Sequence, residues 1–390
     1  MTDILILSST DWHGNWGSRQ QIARLWAAHG RRVLYVERMA GWEHLARYPD
    51  LRRRRIRRRR EGVMEVEPGV WLAAPPPLLP GRYYLPAIAR FNAAWVRAWL
   101  RPILRRLGFA APLLWLYKPE QAALAGQFGA VGTVYHCIDE WTVGTAGRKK
   151  RVIIQLEAEL LRRADVVFAN SRLTFENKRP FNPHTYRLPS GVNIRHLQAV
   201  SDPNLLVPEE VAHLPRPVLA YVGNVDERID LDGLMRLAQA RPSWTLLFIG
   251  RVNRLAVDIE PLAALSNVIL LGERPFAQLP ALLRAADLCL LPYVQSEAAR
   301  YRSPLKLYEY LATGLPIVSA PHPEVEEFRH LVTITPAAEF AAGIAAALAA
   351  DTPEKRRARQ ETVAAHSWES RFAQILRHLA ACGLQVTDNG

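Results

Sequence analysis

Short apolar segments alternate with longer amphipathic segments along most of the 390 residues. Apolar runs of this length, rich in Val, Ile, Leu and aromatic residues, predict buried β-strands, and the amphipathic segments between them predict helices. The predicted strands are residues 4–7, 32–37, 70–74, 112–117, 133–137, 165–170 and 185–190, followed by 217–223, 245–250, 267–272, 287–293 and 316–320. Buried strands separated by helices are typical of parallel sheets covered on both faces, so the pattern predicts an α/β protein.

A polar segment at residues 196–216 separates the two sets of predicted strands. The chain is also too long for one ordinary hydrophobic core. We therefore expect two Rossmann-like doubly wound domains, residues 1–195 and residues 217–360, joined by that segment as a linker. In such sheets ligands bind beyond the carboxyl ends of the strands, and two facing domains imply a cleft between them.

The segment SPLKLYEYLATGLPIVS, residues 303–319, predicts a helix followed by a short strand. Ser303 is a favourable N-cap, and Gly314 can end the helix in the left-handed conformation. Lys306 then lies in the first turn, where the helix dipole favours negative side chains. A lysine there becomes favourable when a phosphate binds the same helix N-terminus. The alternative is a solvated surface lysine.

The formal net charge of +13 comes largely from one decapeptide, LRRRRIRRRR at residues 51–60, which holds eight arginines. Such a run can serve nucleic acid, an anionic membrane surface or solubility. Because guanidinium groups so close together repel one another, we expect the run to lie in solvent or against polyanions and not to be buried. The three cysteines are far apart, which argues against a disulfide framework or a cysteine metal site and favours a reducing cytoplasm.

The segment at residues 83–109 predicts an amphipathic helix with aromatic and basic faces. The two faces would carry Ile88, Phe91, Trp95 and Trp99 on one side and Arg90, Arg97 and Arg101 on the other. Such a helix suits a membrane interface, and the neighbouring arginine run would add attraction to anionic lipid. We expect Arg52, Arg55, Arg58, Trp95 and Trp99 to contact the membrane. The alternative is an ordinary core-facing helix.

Residues 303–319, together with LPALLRAADLCLLPY before them, resemble the donor-site region of GT-B glycosyltransferases, in particular the nucleotide-sugar-dependent, retaining group 1 family. Weaker matches, in the order that the family has them along the chain, are DVVFANSRL, LPSGVNIRHL, VLAYVGNVDERIDLDGL and SWESRFAQIL. The last resembles the terminal helix of this fold, which we place at residues 361–382 and which would cross back to the N-terminal domain. The resemblance implies two Rossmann-like domains facing across a cleft and a metal-independent, hexosyltransferase-like enzyme.

The resemblance also assigns roles within the donor segment. Glu309 matches the acidic residue that binds the donor ribose hydroxyls, and a carboxylate can accept from two vicinal hydroxyls. Lys306 lies three residues earlier, on the same helical face and nearer the positive end, so it would receive the diphosphate. Ser303, at the start of the helix, belongs to the same expected site. The alternative is a plain ion pair between Lys306 and Glu309 on a helix surface.

The sequence departs from the group 1 pattern at two places. Tyr301 stands where the family usually has a second glutamate, and Asn224 stands where it usually has an arginine. Arg228 is the first candidate for the missing cation, and Arg251 and Arg302 are further candidates in loops after strands. Several fixed cations would stabilise the leaving group without a metal.

Asp230-Leu231-Asp232 spells the Asp-x-Asp of the other glycosyltransferase fold, where it binds a metal–nucleotide complex. Here the acidic residues open a predicted helix after a turn, where they suit the dipole. We therefore expect no metal site at Asp230 and Asp232.

The loop after the first predicted strand resembles the glycine-containing loop of GT-B enzymes beside the acceptor. Its candidate residues are Trp12, His13, Gly14, Trp16 and Arg19, which could pack on sugar rings or contact phosphate. The two tryptophans could equally be packing residues. A dinucleotide fingerprint, GxGxxG, is absent from the loop.

The segment YHCIDEW, residues 135–141, follows a buried strand and ends at the same predicted edge. Asp139 is the candidate catalytic carboxylate, which would deprotonate or orient the acceptor hydroxyl. His136 is the alternate candidate, but it lies within the strand and could be a core histidine.

Together these features predict a cytoplasmic enzyme, peripherally associated with the inner face of the membrane, that acts in cell-envelope polysaccharide synthesis. It would transfer a sugar from a nucleotide diphosphate sugar to a lipid-linked or growing glycan acceptor, with no cofactor beyond that co-substrate. Its expected partners are the nucleotide sugar, the acceptor and an anionic membrane surface, and no nucleic acid. One alternative is a non-transferring enzyme of the same fold, such as a nucleotide-sugar epimerase. A basic nucleic-acid-binding protein is a second, but its arginines are confined to one strip.

Overall fold

The computed structural model describes residues 2–13, 16–384 and 386, so the predicted site residue Gly14 lies outside the described residues. The chain forms two compact units. Unit 1 comprises Met1–Pro189 together with Arg371–Gly390, and unit 2 comprises Ser190–Ser370. Each unit has its own parallel sheet, as the alternation of apolar and amphipathic segments predicts.

The sheet of unit 1 has the strand order β3-β4-β2-β1-β5-β6-β7-β8. Its strands are β1 Ile4–Leu7, β2 Val33–Val36, β3 Met64–Glu67, β4 Val70–Ala73, β5 Leu113–Leu116, β6 Gly132–Cys137, β7 Val166–Ala169 and β8 Thr185–Arg187. Helices cover the sheet at α1 Ser18–Ala28, α2 Trp42–Arg47, α3 Pro49–Glu61, α4 Pro86–Leu107, α5 Gly147–Arg163 and α6 Arg172–Lys178, with short 3-10 helices at Pro119–Leu124 and Arg179–Phe181.

All neighbouring strands of this sheet are parallel except β3 and β4. The sequence pattern missed β3 because its residues, MEVE, are polar and only half-buried at the sheet edge. Strand β1 pairs with β2 on one side and with β5 on the other. The strand order therefore reverses at β1, which is where ligands bind in open parallel sheets.

The sheet of unit 2 has the order β11-β10-β9-β12-β13-β14 and is parallel throughout. Its strands are β9 Val218–Val222, β10 Thr245–Ile249, β11 Val268–Gly272, β12 Leu288–Leu291, β13 Ile317–Ser319 and β14 Thr333–Ile334. Its helices are α7 Ile194–Gln198, α8 Glu209–Ala212, α9 Leu231–Ala240, α10 Glu260–Ala263, α11 Leu279–Leu283, α12 Glu297–Arg300, α13 Leu305–Thr313, α14 Phe340–Ala349 and α15 Pro353–Val363. The strand order reverses between β9 and β12.

The segment at residues 196–216, which we expected to be a linker, lies inside unit 2. It contains part of α7 and all of α8, and Leu197, Val200 and Val211 are buried in the core of that unit. These apolar anchors are spaced among many polar residues, which is why the segment looked like a linker in the sequence.

The last helix, α16 Trp368–Ala381, packs into unit 1. The ring of Phe372 meets the ring of Trp26 edge-on, with 4.8 Å between the centroids. The ring of His378 stacks on Tyr186 at 3.8 Å. Phe372, Ile375 and Leu379 of α16 are thus part of the buried core of unit 1. Within the described part of the chain, no helix has the length and apolar character needed to cross a membrane.

The arginine run forms helix α3, and the expectation that none of its arginines is buried is wrong at Arg55. The side chain of Arg55 is only 6% exposed, and its guanidinium pairs with Asp11 and lies 3.8 Å from Glu37. It also donates a 2.6 Å hydrogen bond to the carbonyl oxygen of Arg38. A buried cation with two carboxylates is compensated, so one arginine of the run fixes α3 to the loops after β1 and β2.

We expect Arg55→Met to destabilise unit 1 strongly. The substitution would leave the buried carboxylate of Glu37 and that of Asp11 without their cation, which costs about 3 kcal/mol or more. The matched control is Arg54→Met, because Arg54 is exposed on the same helix. Urea unfolding followed by circular dichroism checks the prediction, and equal stability of the two variants would show that Arg55 does not anchor the helix.

Candidate functional site

The carboxyl edge of the unit 2 sheet contains a cavity of about 240 Å³. It lies at the reversal of the strand order, and its walls come from the residues after β9 and β12, from those before and within the start of α13, and from the loop after β13. Its lining residues include Gly223, Arg228, Tyr293, Arg302, Ser303 and Lys306.

Helix α13 projects its N-terminus into this cavity. The helix begins one residue later than predicted, with Pro304 in place of Ser303 as the N-cap residue. Gly314 ends the helix in the left-handed conformation with φ of 78°, as the sequence predicts. The hydroxyl oxygen of Ser303 is buried and has no hydrogen-bond partner among the described residues. Ser303 therefore presents a hydroxyl group whose hydrogen-bonding capacity is unused at the cavity wall.

Lys306 and Glu309 lie on the same face of α13, as predicted. The ammonium nitrogen of Lys306 is 2.5 Å from a carboxylate oxygen of Glu309, whose side chain is only 11% exposed. Lys306 lines the cavity, whereas Glu309 lies behind it. The ion pair between Lys306 and Glu309 is present, and Lys306 lies in the first turn of the helix. Backbone N–H groups and an ammonium group at one position form a strong site for an anion.

Arg228 and Arg302 bring further positive charge to the cavity wall. The Nε atom of Arg228 donates a 2.7 Å hydrogen bond to Asp226. Burial alone would raise the pKa of Asp226, but the hydrogen bonds and charge of Arg228 outweigh burial and lower that pKa. The carboxylate thus stays ionised and orients the guanidinium. The other candidates, Arg251 and Tyr301, do not line the cavity, and Arg251 is exposed.

Gly223 shapes the cavity where β9 ends. Its φ of 146° is one that side chains rarely adopt, and an added Cβ would lie 3.1 Å from the Tyr221 hydroxyl and 3.5 Å from the Cε of Lys306. Gly250 lies even closer to its neighbour, because an added Cβ there would lie 2.0 Å from the carbonyl oxygen of Gly223. Only glycine fits at these two strand ends, which lets the backbone form the cavity floor.

The Asp-x-Asp sequence acts as a helix cap. Asp230 is the N-cap residue of α9, and its carboxylate accepts a 2.8 Å hydrogen bond from the N–H of Gly233. Among the described residues, no group of three or more His, Cys, Asp and Glu side chains is arranged to hold a metal ion.

Of the predicted acceptor-side residues, Trp12, His13 and Trp16 lie between β1 and α1, and Arg19 lies in the first turn of α1. Trp12 is buried and meets Tyr35 edge-on at 5.0 Å, so it is a packing residue. Trp16 is about half-exposed and lies under the guanidinium of Arg24. The side chain of His13 is largely exposed. The part of its ring that is buried, together with the charge of Arg58, lowers its pKa.

Arg19 and Asp139 come together at the carboxyl edge of the unit 1 sheet. The Nε of Arg19 donates a 2.7 Å hydrogen bond to Ser9, and its Nη2 is 3.9 Å from a carboxylate oxygen of Asp139. The side chain of Asp139 is 46% exposed, so a ligand could reach the carboxylate. The two candidates, which are 120 positions apart in sequence, thus form one polar site with Ser9.

His136, the alternate catalytic candidate, is a core residue. It is 2% exposed and its ring stacks on Tyr117 at 5.3 Å. Burial, reinforced by the charge of Arg19, lowers its pKa to about 3. A neutral, enclosed imidazole cannot reach an acceptor hydroxyl, so the structure favours Asp139 over His136.

A buried network that the sequence did not reveal supports the loop that carries Asp139. The ammonium of Lys178 is 2.9 Å from Glu140 and 2.7 Å from Glu157, and the hydroxyl of Tyr135 donates to Glu157 at 2.7 Å. Burial would lower the pKa of Lys178, but Glu157 and the other acidic neighbours outweigh burial and raise it. Glu140 follows Asp139 directly, so the network fixes the backbone beside the candidate carboxylate.

The predicted membrane residues are divided between surface and core. Arg52 is exposed, Arg55 is buried, and Arg58 is partly buried against Glu61. On α4, Trp95 is 48% exposed, whereas Trp99 packs against the core. The core face of α4 is a different one, formed by Ala89, Asn92, Ala93, Val96, Leu100 and Leu104. Helix α4 therefore has the core face that the alternative describes, with Trp99 packed against the core and Trp95 on the exposed side.

Comparison with known proteins identifies a family resemblance over both units. The family model for group 1 glycosyl transferases matches residues 216–350. The protein TuaH of Bacillus subtilis (strain 168), assigned as a glycosyltransferase of teichuronic acid biosynthesis, is 25% identical over 289 residues, which are 68% of this chain and 70% of that protein.

Solved structures show the same fold at low sequence identity. Sucrose-phosphate synthase from Thermosynechococcus elongatus superposes with a TM-score of 0.68 at 18% identity, covering 98% of this chain and 100% of that one. HepE from Anabaena, in complex with UDP and glucose, superposes with a TM-score of 0.64 at 16% identity over the same shares of the two chains. The predicted GT-B fold is confirmed.

Proposed function

We propose that this chain, which has the GT-B fold and whose residues 216–350 match the model for group 1 glycosyl transferases, is a glycosyltransferase of cell-envelope polysaccharide synthesis. It would transfer a sugar from a nucleotide diphosphate sugar to a lipid-linked or growing glycan acceptor. The observation that carries the proposal is the position of Lys306 at the helix N-terminus that faces the unit 2 cavity. The TuaH relative supports an envelope polymer as the product.

The donor diphosphate would bind at the N-terminus of α13. Lys306, Arg228 and Arg302 line one cavity, and the described residues that form its wall include no carboxylate, although Asp226 and Glu309 contact two of these cations from outside it. These cations would take up the charge that develops on the leaving diphosphate, so the reaction would need no metal. The related structure of HepE with UDP and glucose supports a nucleotide diphosphate donor. Glu309 would bind the ribose of the nucleotide sugar, and the hydroxyl of Ser303 would donate a hydrogen bond to the same substrate.

Asp139 would act on the acceptor. Its carboxylate would orient the acceptor hydroxyl and accept its proton as the new carbon–oxygen bond forms at the anomeric carbon. The bond from that carbon to the donor phosphate breaks, and the nucleoside diphosphate leaves with both electrons. Arg19, 3.9 Å from Asp139, keeps the carboxylate at the sheet edge.

The chain would work at the cytoplasmic face of a membrane. Phe91 and Trp95 are 54% and 48% exposed on α4, and the exposed arginines of α3 provide the positive charge that anionic lipid attracts. An epimerase with the same donor site would have no use for such a surface. This surface supports transfer to a membrane-bound acceptor.

We expect Lys306→Ala to weaken binding of the nucleoside diphosphate about tenfold to a hundredfold, because one charge-assisted hydrogen bond is lost. Binding of the corresponding nucleoside should change little. Isothermal titration calorimetry with both ligands tests this, after screening of nucleotide sugars has identified the base. Lys306→Arg, which keeps the charge, and Arg251→Ala, outside the cavity, are the controls. Equal losses for nucleoside and nucleoside diphosphate would refute the phosphate role.

Asp139→Asn should lower turnover on the order of a hundredfold or more, because the amide cannot accept the acceptor proton. Affinity for the donor should stay near that of the parent, since Asp139 belongs to unit 1. Steady-state transfer rates and donor calorimetry together check the expectation. Parental turnover in Asp139→Asn would remove this carboxylate from the mechanism.

Membrane binding should depend on the exposed arginines of α3 and on Trp95. Replacing four exposed arginines by glutamine should weaken binding to anionic vesicles more than a hundredfold, at about 1 kcal/mol for each cation. The four are Arg52, Arg54, Arg57 and Arg59. Trp95→Ala should remove the part of binding that survives 1 M salt, because that part is apolar insertion.

Co-sedimentation with vesicles of phosphatidylcholine, with and without phosphatidylglycerol, measures the effect. A control variant carries four substitutions to glutamine at exposed arginines of unit 2: Arg236, Arg241, Arg329 and Arg357. If both variants pellet equally well with anionic vesicles, the arginine helix does not bind the membrane. Tighter binding of the parent to RNA than to vesicles at physiological salt would support the nucleic-acid alternative.

A further inference from the structure

A second group of cations lies at the carboxyl edge of the unit 1 sheet. Arg38 follows β2 and Lys118 follows β5, and these two strands flank β1. The Nη2 of Arg38 is 3.1 Å from the Nε2 of His44, on helix α2. The strand-order reversal therefore brings Arg38 and Lys118 to the two sides of the loop after β1.

Arg82 joins this group through shared carboxylates. Its Nη1 donates a 2.9 Å hydrogen bond to Glu43, and its Nε is 3.8 Å from the buried carboxylate of Glu120. The ammonium of Lys118 is 3.6 Å from the same oxygen of Glu120. Glu43 and Glu120 thus compensate the charges of Arg82 and Lys118. Among the described residues, the Arg38 side chain contacts a histidine nitrogen and not a carboxylate. The group carries more positive than negative charge.

The electrostatics of His44 show the same excess of positive charge. Burial lowers the pKa of His44, and the charge of Arg38 lowers it further. Lys118 and Arg82 act in the same direction, and Glu43 opposes them. All three cations therefore lie close enough to the imidazole of His44 to act on it.

Unused hydrogen-bond donors surround this point. The Nε atoms of Arg38 and Arg82 and the indole nitrogen of Trp141 are buried donors that lack an acceptor among the described residues. The ammonium of Lys118 lies 5.5 Å from the centre of the Trp141 ring. One acceptor, an oxygen of Glu120, also lacks a hydrogen bond, but it lies between Arg82 and Lys118. Donors exceed acceptors, and the oxygens of an anion would restore the balance with small side-chain rotations.

We infer that Arg38, His44, Arg82 and Lys118 bind a phosphoryl group of the acceptor. Phosphate oxygens accept several hydrogen bonds at once, and guanidinium groups match their geometry. Lys118 and Asp139 follow the neighbouring parallel strands β5 and β6, so a phosphate held here lies beside the candidate carboxylate. This inference rests on the proposed function, because only a transferase has an acceptor.

The acceptor phosphate would belong to a lipid. Helix α2 contributes His44 to the cation group, and its other residues Trp42 and Leu45 line a narrow apolar groove of about 110 Å³. Ile56 of α3 forms the opposite wall, and Arg52 and Arg59 also line the groove. A hydrocarbon chain attached to the bound phosphate would find apolar surface directly beside the cations.

The test is direct binding to the full chain with the donor site blocked by saturating nucleoside diphosphate. Calorimetry compares farnesyl phosphate, farnesol, glucose 1-phosphate and inorganic phosphate. Farnesyl phosphate should bind best, and the double variant Arg38→Gln with Lys118→Gln should weaken it tenfold or more. The matched control, Arg47→Gln with Lys150→Gln, alters two exposed cations and should bind like the parent. Arg38→Lys should recover part of the affinity if charge is what matters.

Each arm can overturn the inference. Unchanged farnesyl phosphate binding in the double variant would refute the site, provided that its thermal unfolding and nucleoside diphosphate binding match the parent. Farnesol binding as tightly as farnesyl phosphate would show that the groove alone acts. Glucose 1-phosphate binding as tightly would refute the lipid source. Parental transfer to a lipid-phosphate-linked acceptor by the double variant would overturn this inference and leave the proposed function intact.

Discussion

In a parallel sheet every strand ends at the same edge, and the chain leaves that edge through a loop that leads to a helix N-terminus. Both units have this arrangement, and their strand orders reverse at β1 and between β9 and β12. In unit 2 the edge collects Lys306, Arg228 and the glycine floor around Gly223. In unit 1 it collects Arg19 and Asp139. Residues far apart in sequence become neighbours because the strands share one direction.

Side-chain exposure distinguishes the structural ion pairs from the cations of the candidate ligand site. Lys178 is buried between Glu140 and Glu157, and Arg55 is buried with Asp11 and Glu37. These cations already have their carboxylates and so stabilise loops. By contrast, Lys306 and Arg228 line the unit 2 cavity with side chains that are 24% and 43% exposed, although each also contacts a carboxylate, Glu309 or Asp226. Cations that a ligand can still reach at the end of a parallel sheet are what a diphosphate-binding site requires.

Local patterns predicted the strands except β3 and β14, and they predicted helix α13 and its left-handed end at Gly314, because propensity and apolar runs act over a few residues. They also put Lys306 and Glu309 on one helical face. The burial of Arg55 and the contacts of Lys178 with Glu140 and Glu157 could not be predicted. Those contacts join residues separated by 18 or more positions, and nothing in the composition of LRRRRIRRRR marks one arginine as different. Sequence spacing carries no information about such partners.

The two partners of the ion pair on α13, Lys306 and Glu309, would bind two different groups of the donor, the diphosphate and the ribose. In the structure Glu309 holds Lys306 at 2.5 Å, and each partly neutralises the other. A diphosphate carries more negative charge than one carboxylate, so on the proposed function it would draw the ammonium toward the helix N-terminus. The carboxylate would then have a free oxygen for the ribose hydroxyls. Binding of the phosphate would release Glu309 for the ribose, and binding of the ribose would release Lys306 for the phosphate. The two groups would thus favour each other's binding.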